Sequence, residues 1–131
     1  MIALKIKPGN CFDIFALEID GSCEVLDFLN LMGAEAHPSL VKLVKDIDRT
    51  ADVGLMRNRQ RFRVFEAEIY EFRTFEEVRL LCFLGGRGIL VLTNGFTKQQ
   101  ANVGIDRAAE LKRRYFDAKR NGYLTYRDAF L

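Results

Sequence analysis

Three basic side chains in the second half of the chain, Arg73, Arg79 and Lys98, are of types that do chemistry on a phosphate. A guanidinium keeps its charge at any working pH and can grip a phosphate with two parallel N–H donors. Arg73 and Arg79 fall on two expected neighbouring strands, so both can hold a scissile phosphate on the open face of a sheet. The alternative is pairing with Glu71 or Glu77. Lys98 follows the last expected strand, where it can neutralise a leaving oxygen or, with a depressed pKa, move a proton. The alternative there is a solvated surface lysine.

A second basic feature precedes them. Arg57, Arg59, Arg61 and Arg63 alternate strictly, and in an extended segment they would share one face. Like charges in a row repel unless an anion lies across them. Arg59, Arg61 and Arg63 are therefore candidates for contact with a nucleic-acid backbone, where phosphate contacts release counterions and make binding salt-dependent. A mobile, solvated loop answered by Glu66 and Glu68, or a face answered by an acidic partner, fits the same residues. Phe62 lies within this row and suits the core better than a base stack.

Other chemistry is weakly represented. His37 is the one histidine, so a monomer has no histidine pair for ribonuclease chemistry; its place before Pro38 fits a helix start. Asp46, Asp48 and Asp52 read as the solvated face of a helix, and no metal or cofactor is expected. Cys11, Cys23 and Cys82 are scattered and odd in number, which argues against a disulfide framework or a zinc site. Gly85, Gly86 and Gly88 precede a strand, unlike a phosphate-cradling loop, which precedes a helix.

The elements that must position these side chains follow from periodicity. A first strand is expected from Cys11 to Ile19, with residues 1–7 as a possible extra edge strand. Val25, Phe28, Leu29 and Met32 have helical spacing over Glu24 to Met32. Leu40, Leu43, Val44, Ile47, Ala51 and Leu55 mark a longer helix from Pro38 to about Gly54, with Lys42, Asp46 and Arg49 on its other side. Strands are expected from Ile69 to Phe75, Val78 to Leu84 and Ile89 to Thr93, with a bulge or turn near Glu66 to Glu68 and a hairpin at 85–88. A last helix spans about 101–119, where Lys112 interrupts an apolar stripe as a snorkelling side chain. Residues 120–131 have no period and read as a tail.

Length and composition set the frame. The chain has 131 residues, a formal net charge of +2, 49 % hydrophobic and 29 % charged residues. That fits one domain, with its core at about 11–119 and a tail at 120–131, and it makes any electrostatic argument one about where charges sit. No apolar run is long enough for a membrane span or signal peptide, so a cytoplasmic protein is expected.

Four segments taken together resemble the RelE/HigB toxin superfamily, in particular its phage-derived HigB-like branch. They are Val25-Leu26-Asp27-Phe28-Leu29, Tyr70-Glu71-Phe72-Arg73, Val78-Arg79-Leu80-Leu81-Cys82-Phe83, and Leu90 to Lys98 with its Gly95-Phe96-Thr97-Lys98 exit. The resemblance covers residues 24–117. It implies an α+β fold, with two N-terminal helices packed on a small, mainly antiparallel sheet and a C-terminal helix. It also implies the toxin of a type II toxin–antitoxin pair, a metal-independent endoribonuclease that cleaves mRNA on the ribosome, with Arg73, Arg79 and Lys98 as catalytic residues. The implied partner is an antitoxin, commonly a helix-turn-helix protein. The chain departs from the family pattern at Asn94, where many relatives carry histidine, at Gln99, where many carry lysine, and at 100–103, which lack the usual Thr-Pro. These departures keep a second function open: a non-catalytic binding protein, either a gyrase inhibitor like the ParE relatives or a phage-derived interaction protein.

Overall fold

A computed structural model describes residues 1–58, 60–75, 77–97 and 100–129, without the side chains of Glu66, Ala101 and Asn102. In chain order the strands and helices are β1 (Ile2–Lys7), β2 (Asp13–Ile19), β3 (Ser22–Cys23), α1 (Glu24–Ala34), α2 (Ser39–Val53), β4 (Phe62–Phe65), β5 (Ile69–Arg73), β6 (Val78–Gly86), β7 (Ile89–Thr97), α3 (Ala101–Arg120) and β8 (Thr125–Asp128). The strands form one sheet in the order β4-β5-β6-β7-β2-β1-β8, with β3 paired to β2.

This corrects the expected fold. The two helices are not N-terminal, because β1, β2 and β3 precede them. The sheet is not small: among the described residues it has eight strands, and it is mixed, with β2 parallel to β7 and β1 parallel to β8. Residues 1–7 form an interior strand rather than an edge, because 125–128, expected to be tail, pair along them.

The sequence pattern explains why the sheet is covered on both sides. Ile14, Phe15, Ala16 and Leu17 are consecutive and all buried, as are Leu80 to Phe83 and Leu90 to Leu92. Successive side chains on a strand point to opposite faces, so an unbroken buried run needs two covering layers. On one face Val25 and Met32 of α1 and Leu43, Ile47 and Ala51 of α2 meet Ile14, Ala16, Phe72, Leu80, Leu90 and Leu92. On the other, Ala108, Leu111 and Tyr115 of α3 meet Phe15, Leu17, Leu81, Phe83, Val91 and Phe96.

Two glycines permit this close layering. A Cβ on Gly95 would lie 2.2 Å from the Phe28 ring of α1, and one on Gly104 would lie 2.3 Å from the Phe96 ring. Gly95 and Phe96 therefore clamp β7 between α1 and α3. Between them and Leu92 the strand carries one extra residue: Leu80 pairs with Gly95 and Cys82 with Leu92, leaving Thr93 and Asn94 opposite Leu81. This bulge brings Thr93 and Asn94 towards α3, where the Asn94 amide donates to the Gly104 carbonyl at 3.0 Å. No helix among the described residues is long and apolar enough to cross a membrane.

Candidate functional site

The expected pairing of β5 with β6 places Arg73 directly opposite Arg79. Alternation along β5 puts Glu71 on the same face as Arg73, the face that α3 covers further along the sheet. Both guanidiniums converge on one oxygen of this carboxylate. Glu71 Oε1 is 3.3 Å from Arg73 Nε and 3.6 Å from Arg79 Nε. Arg63, opposite Glu71 on β4, adds a third positive charge on that face, with its guanidinium 5.4 Å above the Phe65 ring.

The two arginines are held differently. Arg79 is 7 % exposed, and its Nη1 donates to the carbonyls of Thr74 and Val78, both at 3.1 Å. It is a fixed charge. Arg73 is more accessible, and its Nε lies near Glu71 without the alignment of a hydrogen bond. Burial lowers the Arg73 pKa from its ordinary value, and repulsion from Arg79 adds to this. Burial likewise raises the Glu71 carboxyl above its ordinary value, with Arg79 and Arg73 pulling the other way. The arrangement is one carboxylate oxygen shared by two cations, beside a partly open surface. It can receive an anion that takes the second valence of the pair.

Within the expected row, Arg61 and Arg63 do not share a face. The Asn58 carbonyl accepts from the backbone N–H of both Arg61 and Phe62, at 3.1 and 2.8 Å, so Gln60 and Arg61 lie in a turn and β4 starts only at Phe62. Arg61 is released from the strand's alternation and bonds Asp46 of α2, while Arg63 stays with Glu71 on the α3 side. Asp46, expected on a solvated face, is 1 % exposed. It also holds Lys42 at 3.5 Å. Arg59 and Lys98 lie outside the described residues.

Glu71 is the site residue that the sequence did not single out beyond a possible partner for Arg73. Its signal was available: Glu71 and Arg73 are two apart on a strand, and Arg79 is on the next. His37 accepts from the Ser39 N–H at 3.1 Å through Nδ1, at the start of α2. Lys112 donates to the Ala67 carbonyl, so its stem crosses α3's apolar side and its head reaches the β4–β5 turn. Compared with known proteins, the chain matches no family model and no curated protein.

Proposed function

We propose that this chain is the toxin of a toxin–antitoxin pair, a ribosome-dependent, metal-independent endoribonuclease acting on mRNA. The observation that carries the reading is the convergence of Arg73 and Arg79 on one oxygen of Glu71. A pair of guanidiniums sharing one negative charge, one of them fixed by main-chain carbonyls, is suited to a phosphate whose charge grows in the transition state. In such a reaction the ribose 2′-oxygen attacks the adjacent phosphorus and the bond to the 5′-oxygen breaks. One proton leaves the 2′-hydroxyl and one reaches the 5′-oxygen. Arg73 and Arg79 would hold the phosphorane oxygens, and Lys98 would neutralise the leaving oxygen. Glu71 is a positioning residue that keeps the two guanidiniums together in the absence of substrate. Arg63 supplies backbone attraction beside them. An acidic surface on an antitoxin would complement this face. The four-segment resemblance to RelE/HigB toxins supports the same reading.

A second reading has its own observation. Asn94 stands where many of the resembled toxins carry histidine, and its buried amide is committed to the Gly104 carbonyl. This residue is structural, which favours a non-catalytic binding protein that kept the basic face. Primer extension on a reporter mRNA in a reconstituted translation reaction separates the two. Ribosome-dependent cuts that vanish in Arg73→Ala support the nuclease; intact mRNA in the presence of folded protein refutes it, and a gyrase assay follows.

A further inference from the structure

Arg73 also lines a second feature, a cleft of about 240 Å³ where the end of β5 meets the start of α2. Lys42, Arg61 and Phe75 line it too, with Pro38 and Thr74. Three cations border it. Lys42 and Arg61 share the single carboxylate of Asp46, and Arg73 shares that of Glu71 with Arg79. Asp46 and Glu71 thus each hold two cations, which gathers four basic side chains around the cleft and the neighbouring cluster. Arg61 Nε is buried without a hydrogen-bond partner.

Phe75 is the independent observation. Its ring is 91 % exposed. It stands on a tightly tied turn. The Thr74 hydroxyl bonds Ser39 of α2 at 2.8 Å, the Thr74 N–H donates to Val78, and the Thr74 carbonyl accepts from Glu77 N–H and from Arg79. These bonds hold the residue before Phe75, and the exposed ring offers a flat apolar surface beside the three cations. The same turn fixes Arg79, so the ring is positioned relative to the guanidinium pair. The cleft is smaller than the roughly 300–1,000 Å³ that encloses a whole ligand. It suits a phosphate and sugar inside, with a flat group lying outside on the ring.

We infer that this cleft takes a nucleotide of single-stranded RNA, its phosphate across Lys42, Arg61 and Arg73 and its base stacked on Phe75. The inference rests on the RNA reading above and extends it: the strand runs from the Arg73–Arg79 pair round the end of β5 to α2. Stacking on an exposed aromatic is sequence-tolerant, whereas the phosphate contacts make binding depend on salt.

The test uses the full chain and a labelled oligouridylate about 12 nucleotides long, with affinity read by fluorescence anisotropy over a range of salt. Phe75 and Lys42 are both accessible, so Phe75→Ala and Lys42→Gln should keep the wild-type thermal melt. Phe75→Ala should weaken binding roughly tenfold with an unchanged salt slope. Lys42→Gln should weaken it and reduce the slope by about 0.7. Phe75→Ala protein that binds and cleaves RNA like wild type overturns the cleft and leaves the nuclease standing. Binding that depends on Phe75, without ribosomal cleavage, upholds the cleft and removes the nuclease. A wild-type protein that ignores RNA but holds a glutamate-rich peptide through Phe75 and Lys42 makes the cleft a protein-docking surface and overturns the inference.

Discussion

Replacing Glu71 by glutamine separates what the carboxylate does for stability from what it does for an incoming phosphate. At the observed 3.3 and 3.6 Å, each ion pair is worth about 5 kcal/mol of Coulomb attraction at an effective dielectric constant of about 20. Burial nevertheless raises the Glu71 pKa, so the cost of desolvating the carboxylate exceeds the attraction of the guanidiniums. The folded state therefore holds this proton to higher pH than the unfolded chain. Its stabilising contribution is fully present below the ordinary glutamate value and is lost as pH rises through the folded value. Glu71→Gln removes that loss. Its urea midpoint should match wild type at about pH 4 and equal or exceed it at pH 8. Removing a negative charge about 6 Å from a phosphate bound to the far side of the guanidiniums relieves repulsion of about 1–3 kcal/mol, which is about five- to 150-fold in RNA affinity. Anisotropy with a single-stranded oligonucleotide reads this directly. A folded Glu71→Gln protein with unchanged RNA affinity would refute the idea that Arg73 and Arg79 face a phosphate, and a weaker affinity would show that the positioning role of Glu71 outweighs the relieved repulsion. A clear loss of stability at pH 8 would refute the electrostatic balance.

Three further perturbations follow from the same geometry. Arg79→Ala removes two hydrogen bonds to main-chain carbonyls and leaves Glu71 with one partner, so denaturation should show a loss of about 2–4 kcal/mol, whereas Arg79→Lys should regain much of that stability but not mRNA cleavage. Gly95→Ala drives a methyl into the Phe28 ring and should cost about 1–3 kcal/mol in a urea melt, with Phe28→Ala added in the same chain relieving the clash. The Tyr126 hydroxyl lies 2.7 Å from that of Tyr115, which also donates to the Gly85 carbonyl; Tyr126→Phe should cost about 1 kcal/mol and speed amide exchange selectively in residues 125–128.

Much of the core machinery was legible because it is local. The helical spacing of Leu40, Leu43 and Ile47 located α2, and the unbroken apolar runs with a glycine-rich turn located the β6–β7 hairpin. The adjacency of β5 and β6, which brings Arg73 to Arg79, followed from strand order alone. What was not legible is non-local. β1 is interior because β8, more than a hundred residues away, pairs with it in parallel. Nothing within either segment encodes that partner. β8 is exposed along its length, so it lacks the apolar alternation that marks a strand.

The arginine row shows how a local rule fails for a local reason. Alternation predicts a shared face only if the segment is extended throughout. One carbonyl, that of Asn58, accepts two N–H groups, and Gln60 and Arg61 lie in a turn. That turn sends Arg61 to the buried Asp46 on the α2 side, while Arg63 remains with Glu71 on the α3 side. The consequence is functional. A single-faced row would have made one flat basic strip, whereas the turn wraps positive charge round the end of β5, with Arg73 common to both sides. A curved track of this kind suits a flexible single strand, which can bend at each phosphate, better than a stiff duplex. On the RNA reading proposed above, charge placement, and not the net charge of +2, would set which nucleic acid the face could follow.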